Sequence, residues 1–173
     1  LGPIVMDTTE QHDLKVTVED AVGNKGYISR SIIVDNEAPV TISQVKPNPA
    51  GEVSGTFTYR GNVTDNVGGS GVSKIEWYLP KTTETNAEAN GLGWEEASLS
   101  AGWEIDLSGD NNLSTKIGYI ASGSTYSVNS NFSSYETNGS GVYLLPVWFR
   151  ITDEVGNVGY NTDNIIRFNP NTD

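Results

Sequence analysis

Three acidic stretches stand far apart in the chain: Asp35, Asn36 and Glu37 in "VDNEAP", Asp65 and Asn66 in "VTDNVGG", and Asp153, Glu154 and Asn157 in "ITDEVGN". Carboxylates and amides are hard oxygen ligands. Brought to one end of a molecule, like charges of this kind repel unless a cation sits among them. Ca²⁺, which takes six to eight oxygens at about 2.3 to 2.6 Å from flexible loops, is the ion such a set suits. The same residues have a plainer reading, because Asp and Asn are frequent turn formers whose side chains bond the local backbone. Spacing leaves both readings open, and the strands that carry the loops must decide between them.

A second chemistry belongs to the tryptophans. Trp77 and Trp103 fall on the apolar side of alternating stretches and are expected in the core. Trp148 lies between Val147 and Phe149, so parity sends it to the opposite face beside Arg150. An outward Trp148, joined by Tyr78 and Trp94, would offer a stacking surface to a glycan or a host protein, or would lie beneath the insertion of residues 109–141. Catalysis finds little material. The one histidine, His12, precedes the first clear strand and has no cysteine to pair with, and no nucleophile-elbow pattern surrounds any serine. Glu95 and Glu96 are adjacent on a strand and point to opposite faces, so they cannot share a substrate. The chain is expected not to be an enzyme.

The elements that must position these residues are strands. "VEDAVGNKGY" (18–27) and "ITDEVGNVGY" (151–160) are near copies at an offset of 133, Asp20 against Asp153. The match extends to both sides: Leu14, Val16 and Val18 align with Val147, Phe149 and Ile151, and Ile32 and Ile33 with Ile165 and Ile166. Apolar residues at every second position, around a Gly-Asn turn tolerant of positive φ, predict a β-hairpin in each copy. Between the copies, "VTISQVKP", "SGTFTYRGNV", "VSKIEWYLP", "GWEEASL" and "GWEIDLS" read as further strands. Phe57, Tyr59 and Val63 share one face, as do Ile75, Trp77 and Leu79, and Trp103, Ile105 and Leu107. Residues 109–141 are polar and read as an insertion with one or two weak strands. No window shows a sustained helical period.

About seven short strands with a tryptophan inside the third predict an all-β sandwich. The stretches "VSGTFTYRGNVTDNVGGSGVSKIEWYLP", "GWEEASLSAGWEIDLSG" and "VYLLPVWFRITDEVGNVGYNTDNIIRF" together resemble the immunoglobulin-like repeats of large bacterial surface and secreted proteins. The resemblance spans about residues 39–170, and residues 13–38 resemble the tail of a preceding repeat. It implies an incomplete leading unit with linker over 1–38 and an immunoglobulin-like β-sandwich over 39–173. The expected role is a spacer, stalk or adhesion module at the cell surface, with neighbouring repeats of the same chain as partners. "DNEAP" is also similar to the acidic linker of cadherin-type tandem repeats, where calcium stiffens the joint. In such a sandwich the linker, the loop after the second strand and the closing hairpin loop meet at one pole. Asp20 would belong to the equivalent site of the preceding unit. The leading hairpin has an apolar face of Leu14, Val16, Val18, Ile32 and Val34. A lone hairpin is marginal in water, so this face needs a cover.

Bulk composition narrows the partners. The net charge of −12, with no cluster of Lys and Arg, repels phosphate backbones and anionic headgroups, so nucleic acid is not an expected partner. No stretch approaches the roughly 18 to 20 apolar residues a membrane-spanning helix needs. The absence of cysteine removes thiol chemistry and leaves the redox compartment open. The start at Leu1, without an initiator Met or a signal pattern, is expected of a piece of a longer chain.

Overall fold

The computed structural model describes residues 9–122, 125–136 and 141–170. Alternation of apolar and polar residues becomes strand nearly everywhere it occurs. The leading hairpin is β1 (Glu10–Glu19) and β2 (Lys25–Val34). The linker then leads to β3 (Thr41–Lys46), β4 (Glu52–Val53), β5 (Phe57–Thr64), β6 (Val72–Tyr78), β7 (Glu95–Glu96), β8 (Ser98–Leu99) and β9 (Trp103–Leu107). A short helix α1 (Leu113–Lys116) and a small hairpin of β10 (Ile120–Ser122) and β11 (Thr125–Ser127) follow, before the long closing strands β12 (Tyr143–Asp153) and β13 (Val158–Phe168).

Two sheets form the sandwich. One has the order β4-β13-β12-β6-β7 and the other β3-β5-β9-β8, so the chain changes sheet between β7 and β8 at buried Ala97, whose N–H donates to the Ile75 carbonyl. Most of the named inward residues are buried, namely Tyr59, Ile75, Trp77, Leu79, Trp103, Ile105 and Leu107, while Phe57 and Val63 are half-buried and pack against this core. The sheets meet through aromatic rings, with Phe149 centred 4.8 Å from Trp103 and 6.2 Å from Tyr59. Such tilted and edge-on pairs add to the burial of large apolar surface.

Residues 109–141 are more than an appended loop. Leu113, Ile117 and Phe132 enter the same core. Asn112 caps α1 by accepting from the Thr115 N–H (2.8 Å), an arrangement that satisfies a donor left free at the helix start.

The leading hairpin stands apart from this core. Its register pairs Leu14 with Arg30, Val16 with Ile28, Val18 with Gly26 and His12 with Ile32, which puts Tyr27 and Ile33 on one face and Leu14, Val16, Val18, Ile28 and Ile32 on the other. That face is open: Val16 is 48% exposed, Val18 66% and Ile28 51%.

Candidate functional site

The acidic site is assembled at one end of the sandwich from three loops. Asp35 follows β2 on the linker, Asp65 lies between β5 and β6, and Asp153 ends β12. One carboxylate oxygen from each lies within 4.8 Å of the others. Asp35 and Asp153 are buried and Asp65 is half-buried. Strand parity turns Asp153 inward at the end of β12, and the turn that follows then wraps its own donors around the carboxylate.

Each acid is held by neutral donors. Asp153 Oδ1 accepts the backbone N–H groups of Val155 (2.9 Å), Gly156 (2.6 Å) and Asn157 (2.8 Å), and its Oδ2 accepts Asn157 Nδ2 (2.7 Å). Asp65 accepts from the N–H of Asn66 (2.9 Å) and of Gly71 (2.7 Å). Asp35 accepts from Ser70 N–H (2.7 Å), Glu37 N–H (3.2 Å) and Asn66 Nδ2 (3.4 Å). The Ser70 N–H is the main reason the Asp35 carboxyl sits below its ordinary range, against the opposing effect of burial. These bonds fix the orientation of the acids but bring no positive charge. Among the described residues, no lysine, arginine or histidine forms an ion pair with any of the three.

Two local features fit a cation. Asn66 Oδ1 is buried with no hydrogen-bond donor, a costly state for an amide oxygen. Gly69 leaves the space where Asp65 Oδ2 and Asn66 Oδ1 converge, and a β-carbon there would press on both. Ionised carboxylates keep lone pairs beyond the donors already bound, so the three acids and Asn66 Oδ1 form a hard oxygen set of the type Ca²⁺ takes.

Of the metal candidates read from the sequence, Asp35, Asp65 and Asp153 come together, whereas Asn36, Glu37 and Glu154 are exposed and outside the trio. Asn36 and Glu154 directly follow an inward acid and so face away, and Glu37 lies one residue further along the linker, its N–H bonded to Asp35 Oδ1 and its side chain exposed. Their backbones still serve the site, since the Glu37 carbonyl accepts Asn157 Nδ2 (3.4 Å) and the Glu154 N–H donates to the Gly71 carbonyl (2.9 Å). Asn157 Nδ2 also reaches the Asp35 carbonyl (3.0 Å), latching the linker to the closing turn.

The aromatic candidates occupy the outer face of the sheet containing β6 and β12. Trp148 faces outward by parity, yet only 7% of it is exposed, so it offers no platform to a ligand. Tyr78 packs between Trp148 (6.3 Å) and Trp94 (5.8 Å), and Trp94 reaches Tyr160 (6.1 Å) with the Arg150 guanidinium 5.0 Å from its ring centre. The segment after β6 therefore folds back over this face, with Pro80 and Ala87 buried in it. Tyr78 Oη donates to the Glu84 carboxylate (2.9 Å), and burial together with this bond pushes its hydroxyl up to about 12. Alternation alone did not reveal Glu76, which is 7% exposed on the polar side of β6. Arg150 binds it through two nitrogens (2.7 and 2.8 Å) and Lys74 through one (2.7 Å), with Arg150 the main reason its carboxyl is lowered.

Compared with known proteins, the chain matches no protein-family model and no curated protein sequence.

Proposed function

We propose that the chain is a non-catalytic immunoglobulin-like repeat of a large extracellular bacterial surface protein, acting as a spacer, stalk or adhesion module and joined to neighbouring repeats of the same polypeptide. A Ca²⁺ ion held by Asp35, Asp65, Asp153 and Asn66 stiffens the joint through which the leading hairpin enters the sandwich. The observation that carries this reading is the convergence of three carboxylates, from the linker and two loops, within 4.8 Å, with no basic partner among the described residues.

The physical role follows from where the ligands sit. Asp35 belongs to the linker, whereas Asp65 and Asp153 belong to the sandwich. A bound divalent cation would supply the missing positive charge, relieve the repulsion among the acids and tie the linker to both loops. Asn157 already makes part of that tie through the Asp35 carbonyl. A short linker held at both ends bends less, which suits a rod that carries another domain outward.

The test is thermal unfolding in chelator and in Ca²⁺. At a hundredfold excess over Kd, an ion bound only by the folded state contributes about 2.7 kcal/mol. For a chain of this size that raises Tm by about 5 to 10 °C. Asp65→Asn is expected to abolish the rise while preserving the fold. Identical melting curves in the two conditions would refute the calcium joint.

A further inference from the structure

The turn of the leading hairpin is built on the plan of the closing one. Asp20 Oδ1 accepts the N–H groups of Val22 (3.0 Å) and Asn24 (2.9 Å), and Asn24 Nδ2 donates to Asp20 Oδ2 (2.7 Å). The same bonds join Asp153, Val155 and Asn157. Gly23 and Gly156 both take positive φ, +90° and +97°.

In the closing hairpin this turn also serves a neighbour. Asn157 Nδ2 holds the linker carbonyls of Asp35 and Glu37. The linker then crosses β13 at Gly159, where a β-carbon would run into the Pro39 carbonyl and press on Val40. Neither Gly159 nor its counterpart Gly26 has positive φ, so backbone conformation does not require glycine at either position. Close passage of another segment explains Gly159. Among the described residues nothing passes at Gly26: a β-carbon would meet only the Val18 side chain, at an ordinary 3.7 Å. Glycine weakens a strand and marks the close approach of other chain, so Gly26 is suited to a contact missing from this structure. The open apolar face of Val16, Val18 and Ile28 agrees, because the matching face of Phe149 and Ile151 is covered by the second sheet. The hairpin's other face is mixed, with Asp13 bonded to Ser31 and Glu19 paired with Lys25, and with Tyr27 beneath the Lys15 ammonium and Ile33 beside Gln11.

We propose that Asp20, Asn24 and Gly26 form a docking site for an extended, acidic, proline-containing segment of the chemistry of residues 35–40. This segment crosses β2 at Gly26 and rests its carbonyls on Asn24 Nδ2, as the entering linker of a unit that also covers the apolar face. The inference rests on the reading of the leading hairpin as the end of a preceding unit.

The test is a tandem chain in which residues 34–146 precede residues 14–173, joined where Leu14 replaces its counterpart Val147. Amide exchange is followed in chelator, so that metal binding plays no part. The β1 and β2 amides are expected to exchange about a hundredfold or more slowly than in the 173-residue chain. Gly26→Val should remove that protection in the tandem chain and leave the 173-residue chain unchanged. Protection that survives Gly26→Val would overturn the crossing at Gly26 while leaving the preceding unit standing. Should the tandem chain leave the hairpin unprotected, Val16→Phe with Val18→Ile restores the side chains of Phe149 and Ile151. A hairpin still unprotected in that form overturns both the docking site and the preceding unit.

Discussion

Two turns with nearly one sequence sit in opposite surroundings. At residues 20–24 and 153–157 an aspartate gathers the backbone of its own turn and an asparagine closes the far side, with the same 2.7 Å bond between the two side chains. Along β12 most residues are buried, whereas along β1 nearly all are exposed. The shape of the turn is therefore written locally, in Asp, Gly and Asn at fixed spacing. Its use is written elsewhere, in the strands that cover it and the loops that bring further acids to it.

Paired substitutions at matching positions test this contrast, and the largest difference is expected in the strands. Phe149→Ala empties a fully buried site beside Trp103 and Tyr59 and should cost about 3 to 5 kcal/mol in denaturant unfolding. The matching Val16→Ala, at a position 48% exposed, should change stability by less than about 0.5 kcal/mol. Equal costs would mean that the leading hairpin is packed in solution.

A smaller difference separates the asparagines. Asn157→Ala removes the bond to Asp153 and the latch on the linker, and should cost about 1 to 2 kcal/mol with faster amide exchange at residues 35–40. Asn24→Ala removes only a bond inside an exposed turn and should cost a few tenths. If the two cost the same, the linker latch contributes nothing.

The smallest effect at neutral pH concerns protons. Asp35 is lowered mainly by the Ser70 N–H and Glu76 mainly by Arg150, relative to ordinary values of 3.8 and 4.5. Groups depressed in the folded state give stability that is fully present above their unfolded values and lost as pH falls through the folded ones. Tm should therefore be flat above about pH 5 and fall below about pH 4. Asp20 is also lowered, mainly by Asn24, but its titration should be sensed by resonances of its own turn and leave the linker unmoved. A Tm that holds steady down to pH 2 would contradict both assignments.

Much of the sandwich was legible because its strands are half wet. Tyr59, Ile75, Trp77 and Ile105 each sit between polar neighbours, and a period of two leaves one solution for which face is buried. The convergence of Asp35, Asp65 and Asp153 followed from that topology. What escaped were the places where a second layer overrides parity. Trp148 and Glu76 point outward and are nonetheless buried, one within the aromatic group around Tyr78 and the other beneath Arg150. Leu113, Ile117 and Phe132 were hidden because α1 is four residues long, too short to display a helical period, and Phe132 stands among polar residues. Glu37 and Glu154 resembled ligands by type, but Glu154 directly follows inward Asp153 and Glu37 lies past the turn after Asp35, so both side chains face solvent.

The most direct test of the account is the stoichiometry of Ca²⁺ binding to the intact chain by titration calorimetry. Three converging acids at the tip of the sandwich and one isolated acid at the tip of the leading hairpin predict one ion per chain, lost in Asp153→Asn and kept in Asp20→Asn. Zero ions, or a single ion that survives Asp153→Asn, would contradict it.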